Sequence, residues 1–262
     1  TNVGVGHFYA CDNLKMVNMV TTNGLRSDVT FDNSSQFALE DRCMVFSTES
    51  LNITNTAYVS DGFEYTLTDK CAILHSIPEG TTNISVDTIS GLPVTNISAK
   101  LYAKGPNGNT LETINCPNLR HISMSMFNGV GALKNVSLPK AEYIGRRAFY
   151  ECNGVNAITL DFPEVSFVGH SAFYKMTACY VNFSSKLKVV ENSLNNGAKM
   201  TYVFGGQGDP ITNTSDWGTS IFDYFNSSTV ADVTIYTTDG TNKGLTGAPW
   251  GKTYGSITYL QA

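Results

Sequence analysis

The sequence predicts a β-rich solenoid, in which short coils of similar length stack into one elongated core. Three phenylalanines, Phe127, Phe149 and Phe173, follow one another at spacings of 22 and 24 residues. Short apolar–polar–apolar triplets recur between them. Such internal repetition is typical of repeat proteins, in which each unit buries its apolar face against its neighbours. We therefore expect the three phenylalanine rings to stack inside the solenoid.

Residues 1–20 fit the same pattern and predict an N-terminal repeat unit. Phe8 and Cys11 stand three residues apart, as Phe149 and Cys152 do. Aliphatic residues follow both pairs at matching distances. We therefore expect residues 1–20 to form one coil.

Residues 21–110 lose the period and are rich in Thr, Asn, Asp and Ser. Two stretches, 37–46 and 62–74, have the pattern of β-hairpins, and the second carries a polar Thr-Asp-Lys turn between its apolar arms. Further short strands are expected near residues 84–86, 94–97 and 101–103. We interpret residues 21–110 as an irregular, hairpin-rich segment of the same solenoid.

Residues 111–204 resume the repeats. Each repeat contains a triplet that predicts a short strand with one face inward and one face in solvent, because side chains alternate along a strand. The central residues of these triplets are short and polar, and we take them as candidate binding residues on the outer face: Asn115, Ser137, Thr159 and Asn182. Gly145 and Gly169 each follow an aliphatic residue, and we expect the chain to turn sharply there.

Residues 205–262 are predicted to cap the last open face of the core. They contain a Gly-rich turn, an aromatic-rich stretch at 217–225 and a strand at 233–236. A stack of repeats needs a terminal unit that covers its end.

The stretch 144–160 reads Ile-Gly-x-x-Ala-Phe-x-x-Cys-x-x-Val-x-x-Ile-x-Leu, and residues 168–173 repeat its first part. This pattern resembles the BspA-like leucine-rich repeat. The resemblance implies a right-handed leucine-rich-repeat solenoid with short helices or turns, β-hairpin inserts and a C-terminal cap. It also implies a secreted or cell-surface protein, commonly bacterial, whose usual role is adhesion or binding of a host protein.

Composition narrows the class of partner. The net charge of −5 disfavours a nucleic-acid partner, since phosphate binding needs a surplus of Lys and Arg. Charged residues make up 15% of the chain, below the roughly 25% usual in soluble domains, and this low share suits an extracellular β-rich protein.

No apolar run approaches the ~20 residues of a membrane span. The chain begins at Thr1, and we interpret it as a trimmed part of a longer precursor.

Cysteines and histidines provide no metal motif in the sequence. Cys11 and Cys152 each lie three residues after a phenylalanine, and Cys179 takes a position that Leu133 and Val155 hold in other repeats. We therefore interpret the three cysteines as buried free thiols rather than as disulfide partners. There is no CxxC pair and no HExxH motif. We interpret His121 and His170 as solvated polar residues.

The leading hypothesis is a non-catalytic binding or adhesion module that recognises an extracellular protein or glycan through its solenoid surface. It assigns no catalytic residue, cofactor or metal, and expects neither nucleic acid nor a membrane span in this chain. One alternative is a structural spacer that displays another domain. Another is a carbohydrate-active enzyme that uses paired carboxylates such as Asp161 and Glu164.

Overall fold

The structure is a computed structural model that describes residues 2–3, 16–22, 30–31, 44–60, 62–97, 110–152, 158–176, 179–191, 200–205, 212–213, 233–237, 253–254 and 257–261. These ranges form strands and turns, and none of them contains a helix. The strands are β1 (Asn2–Val3), β2 (Val17–Val20), β3 (Thr30–Phe31), β4 (Met44–Ser47), β5 (Ile53–Ser60), β6 (Phe63–Thr68), β7 (Ala72–Ser76), β8 (Asn83–Ser85), β9 (Thr88–Ile89), β10 (Leu92–Ile97), β11 (Thr113–Asn115), β12 (His121–Ile122), β13 (Asn135–Ser137), β14 (Tyr143–Ile144), β15 (Ile158–Phe162), β16 (Phe167–Val168), β17 (Cys179–Phe183), β18 (Val189–Val190), β19 (Met200–Phe204), β20 (Thr212–Asn213), β21 (Val233–Thr237), β22 (Thr253–Tyr254) and β23 (Ile257–Gln261).

Two columns of parallel strands run through the repeats. The first, which we name the outer-strand column, contains β8–β11–β13 and then β15–β17–β19–β21–β23. The second, the short-strand column, contains β10–β12–β14–β16–β18–β20. From β8 to β20 each described coil contributes one strand to each column, which confirms the predicted β-rich solenoid.

The strands of neighbouring coils stay in register although the coils differ in length. In the short-strand column Tyr143 lies opposite both His121 and Phe167, which are 22 and 24 residues away. The longer coil contains β15, which has five residues where β13 has three. The two extra residues of this coil therefore leave the short-strand column undisturbed.

Tight turns form the third side of three coils, at residues 123–130, 145–152 and 169–176. Within a turn an amide bonds the carbonyl three residues earlier, as Tyr150 N–H donates to Arg147 O at 3.1 Å. Between coils, Phe127 N–H donates to Ala148 O at 2.8 Å and Phe149 N–H donates to Ala172 O at 2.7 Å. The turns of the sequence prediction are thus confirmed, and the short helices stay a prediction.

The phenylalanines stack inside the solenoid as the spacing predicts. The ring centroids of Phe127 and Phe149 are 5.0 Å apart, and those of Phe149 and Phe173 are 5.7 Å apart. All three rings are fully buried. Cys152 and Cys179 are buried in the same core, as expected, whereas Cys11 lies outside the described residues. The core is therefore continuous from coil to coil.

Gly145 and Gly169 begin two of these tight turns, as expected, because their carbonyls accept from the amides of Ala148 and Ala172. Both glycines also allow close packing between coils, which the sequence did not predict. A Cβ atom on Gly145 would lie 2.6 Å from the backbone nitrogen of Met124 in the preceding coil. A Cβ atom on Gly169 would likewise lie 2.6 Å from the backbone nitrogen of Arg146. Two backbones pass each other here at a distance that no side chain permits.

The hairpin predicted at 62–74 is confirmed by the antiparallel pair β6–β7, to which β5 adds a further antiparallel strand. The hairpin predicted at 37–46 lies mostly outside the described residues. Its described end belongs to β4, which pairs in parallel with β2.

The four-part division of the chain stays a prediction. Both strand columns reach back before residue 111, because β8 and β10 belong to them. After residue 205, β21 and β23 extend the outer-strand column in parallel, and β22 pairs antiparallel with β23. The capping role of the C-terminal segment is likewise still a prediction.

Candidate binding surface

The outward face of the outer-strand column carries the four residues singled out in the sequence. Asn115, Ser137 and Thr159 are exposed, and Asn182 is half-buried. Strand alternation places them there, because the neighbouring aliphatic residues point inward. In β15, for example, Ile158 and Leu160 are buried on either side of Thr159. We name this surface the strand face.

The four candidates do not form one row, and only Asn115 and Ser137 lie opposite each other. Asn115 lies in register with Ser137, and its Nδ2 donates to Ser85 Oγ at 3.4 Å. Asn182 lies in register with Asp161, and its Nδ2 donates to Asp161 Oδ1 at 2.9 Å.

Thr159 lies instead opposite Tyr180, a residue that sequence reasoning did not single out. Tyr180 is 42% exposed. Asp161 was also missed as a strand-face residue, although the alternation of apolar and polar residues through 158–162 carries the signal for it. The strand face thus combines hydroxyls, amides, one carboxylate and one phenol, which suit hydrogen bonding to a partner.

Asp161 and Glu164, the carboxylates considered for hydrolysis, have different partners. Asp161 accepts the hydrogen bond from Asn182, and Glu164 forms an ion pair with Lys186. Each carboxylate is therefore held by a neighbour in the next coil. Within the part of the chain that the structure describes, there is also no group of three or more His, Cys, Asp or Glu residues that could hold a metal ion.

The expectation of a solvated His121 is wrong. His121 is only 4% exposed, and its ring centroid lies 4.4 Å from that of Tyr143. Phe46 packs edge-on against the same ring, with centroids 5.4 Å apart. His121 therefore takes the place of an aromatic residue in the short-strand column, at the position that Tyr143 and Phe167 occupy in later coils.

His170 is half-buried. Burial and the nearby Arg146 guanidinium lower the pKa of its imidazole, while the Glu191 carboxylate acts in the opposite direction. The Glu191 carboxylate also accepts a hydrogen bond from the His170 backbone N–H, at 2.9 Å. This arrangement anchors one coil to the next.

Buried thiols in the core are held in the protonated form. Burial raises the pKa of Cys116 to about 11 and that of Cys152 to about 12. The Cys152 thiol also donates a hydrogen bond to Phe127 O, at 2.8 Å. Since the thiolate is the reactive form, these cysteines serve packing rather than chemistry.

Comparison with known proteins identifies the repeats. Residues 81–201 match the family model of the BspA type leucine rich repeat region, in six copies. The match begins just before β8 and ends within β19. Searches of curated proteins and of solved structures found no match to the chain. Among the described residues there is no helix long and apolar enough to cross a membrane.

Proposed function

Residues 81–201 are a BspA-type leucine-rich repeat region, and we propose that they make this chain a non-catalytic binding or adhesion module. Its partner is an extracellular protein or glycan, and the protein acts at the cell surface or after secretion. The repeat family supports an interaction role. Its members are commonly secreted or surface-exposed, which supports the proposed location.

The main support for the proposal is that the inward and outward side chains of each outer strand have different roles. Its inward residues, such as Ile114 and Val181, are fully buried and hold the coils together. Its outward residues, such as Asn115 and Ser137, are exposed and contribute nothing to that core. Solenoids use such surfaces for recognition, because their exposed side chains vary without disturbing the fold.

A charged variant of the strand face tests the proposal. It carries Asn115→Lys, Ser137→Glu, Thr159→Glu and Asn182→Lys, which leave the net charge unchanged. We expect the fold to be retained and binding to fall by about tenfold or more, because buried interface contacts tolerate unpaired charge poorly. Binding is measured on immobilised collagen, laminin and fibronectin and on a glycan array, and the fold by circular dichroism.

The matched control exchanges Glu151 and Lys175, an exposed ion pair on the turns with Nζ and Oε1 3.0 Å apart. This exchange also leaves net charge unchanged, and we expect it to leave binding unchanged. Equal binding by the strand-face variant and the original protein would remove the strand face as the binding surface. Absence of binding to every probe would favour the structural spacer.

A further inference from the structure

A second surface, separate from the strand face, lies where the outer strands lead into the short-strand column. It is a groove of about 480 Å³ that crosses several coils, which we name the corner groove. Its lining includes Thr95 from β10, Asn118 and Arg120 from the next coil, and Glu164 from a later one. Its volume lies within the range of roughly 300–1,000 Å³ that small-molecule sites occupy.

The polar groups of the corner groove are held in place by one another. Arg120 donates from Nε and Nη2 to the two carboxylate oxygens of Glu142, both at 3.0 Å. Such a forked pair fixes the orientation of both side chains. The guanidinium still has N–H donors to spare, and the carboxylate still has lone pairs. A ligand in the groove thus meets a donor and an acceptor side by side, already oriented.

Asn118 and Lys140 extend this arrangement to the neighbouring coils. Lys140 Nζ donates to Asn118 Oδ1 at 2.6 Å, and the Asn118 amide donates in turn to Asp87. At the far end of the groove Glu164 is paired with Lys186. The polar side chains therefore form a preorganised set, which lowers the entropic cost of binding.

The charges that line the corner groove balance. Two cations, Arg120 and Lys140, face two anions, Glu142 and Glu164. An anionic ligand meets two carboxylates there, and a cationic ligand meets a guanidinium and an ammonium group, so either carries a repulsive contact. A neutral ligand rich in hydroxyl groups has no such penalty, because a hydroxyl both donates to a carboxylate and accepts from Lys, Arg or Asn.

The corner groove also contains apolar surface. Pro93 and Pro139 present pyrrolidine rings among the polar groups. A sugar ring needs both kinds of contact, since its hydroxyls lie around the rim and its C–H groups form apolar faces. We propose that the corner groove binds a neutral saccharide. This inference rests on the proposed function as a binding module and names a ligand class for it.

Titration with defined saccharides tests the inference. Lactose, maltose, cellobiose and chitobiose are the neutral probes, and sialyllactose and a heparin disaccharide are the anionic ones. Affinity is measured by calorimetry and by ligand-observed NMR on the full chain. We expect at least one neutral disaccharide to bind with a Kd of about 1 mM or tighter, and the anionic probes to bind at least about tenfold more weakly.

The variant Arg120→Gln with Glu142→Gln removes the oriented pair without changing net charge. We expect it to weaken neutral-saccharide binding by about tenfold or more. The matched control is Lys134→Gln with Glu112→Gln, which removes an exposed ion pair outside the groove with Nζ and Oε1 2.8 Å apart. We expect this control to bind saccharide as the original protein does, and thermal unfolding shows that both variants are folded.

Any of three results overturns the inference. The first is that no neutral saccharide saturates the protein at about 10 mM, and the second is that an anionic probe binds more tightly than the neutral ones. The third is an equal loss of saccharide affinity in the groove variant and in its control. The charged strand-face variant separates this inference from the proposed function. Loss of matrix-protein binding in that variant, together with no saccharide binding by the original protein, refutes the saccharide site alone. Saccharide binding that survives in that variant, with no matrix-protein binding by either protein, supports the groove and contradicts the strand face.

Discussion

At the scale of single residues, backbone spacing and burial decide what each side chain does. Gly145 and Gly169 leave room for a neighbouring coil. Cys152 fills the space beside the phenylalanine stack. In both cases the residue type is dictated by the volume available between coils, since a closely packed interior responds to a change of even one methylene group.

Gly145→Ala is expected to destabilise the protein by about 1–3 kcal/mol, because its methyl group would overlap the backbone of Met124. Gly131→Ala is the control, since no heavy atom of the described chain lies within 4 Å of the added Cβ. We expect that control to remain within about 0.5 kcal/mol of the original protein. Urea unfolding followed by circular dichroism measures both, and equal effects of the two substitutions would contradict the close approach.

Stability is expected to fall as the pH rises above 9. The pKa of Cys152 is about 12 in the folded protein, above the ordinary thiol value of 9.0. The unfolded chain therefore releases this proton first, and the stabilisation present below pH 9 is lost as the pH rises towards 12. Urea unfolding at pH 8 and pH 10 measures the change. Cys152→Ala should reduce the difference between the two pH values, and an undiminished difference would assign it to other groups.

At the scale of elements, each coil repeats one arrangement of aromatic residues. Phe127, Phe149 and Phe173 stack in the core, and Tyr150 and Tyr174 stack near the surface with centroids 5.0 Å apart. Stacked rings contribute about 0.5–1.5 kcal/mol beyond the area that they bury. The core stack should contribute more to the free energy of unfolding than the tyrosine pair, because its rings are also fully removed from water.

Phe149→Ala is expected to cost about 3–5 kcal/mol, since it leaves a cavity between two rings in the middle of the stack. Tyr150→Ala, at the adjacent and half-exposed position, should cost about 1 kcal/mol. Chemical denaturation of both variants gives the comparison. A smaller loss for Phe149→Ala than for Tyr150→Ala would contradict the continuous phenylalanine core.

At the scale of the whole molecule, the coils depend on hydrogen bonds that join each one to the next. Amides such as Phe127 N–H and Phe149 N–H donate to the following coil from buried positions. Each coil therefore stabilises its neighbours, and central coils have a neighbour on both sides. Local opening should be rarest in the middle of the stack.

Native-state hydrogen exchange should show this gradient directly. We expect the Phe127 and Phe149 amides to exchange through global unfolding, with the slowest rates in the chain. The Asn52 amide, which donates to the exposed Asp69 carboxylate at 3.0 Å, should exchange through local opening. Exchange is followed by NMR across a range of low urea concentrations. Equal protection at these positions would mean that the described part of the chain opens as one unit.

Much of the fold could be predicted because its signals are local and periodic. The phenylalanine spacing predicts the stack, and the alternation within the triplets predicts which side of each outer strand faces solvent. The polar turn at residues 68–70 likewise predicts the β6–β7 hairpin. The pairing of Asn182 with Asp161 could not be predicted in this way, because the extra residues of β15 change which outward residues face each other.

The sequence by itself determined the repeat, the buried positions and the polar character of the outer strands, since each depends only on neighbouring residues in the chain. Only the tertiary structure decided that His121 lies between aromatic rings and that Gly145 must pass close to another backbone. It also brought Arg120, Glu142 and Glu164 into one groove from three coils. These features arise from stacking, which brings together residues about 22 positions apart, and their contacts depend on the register between coils.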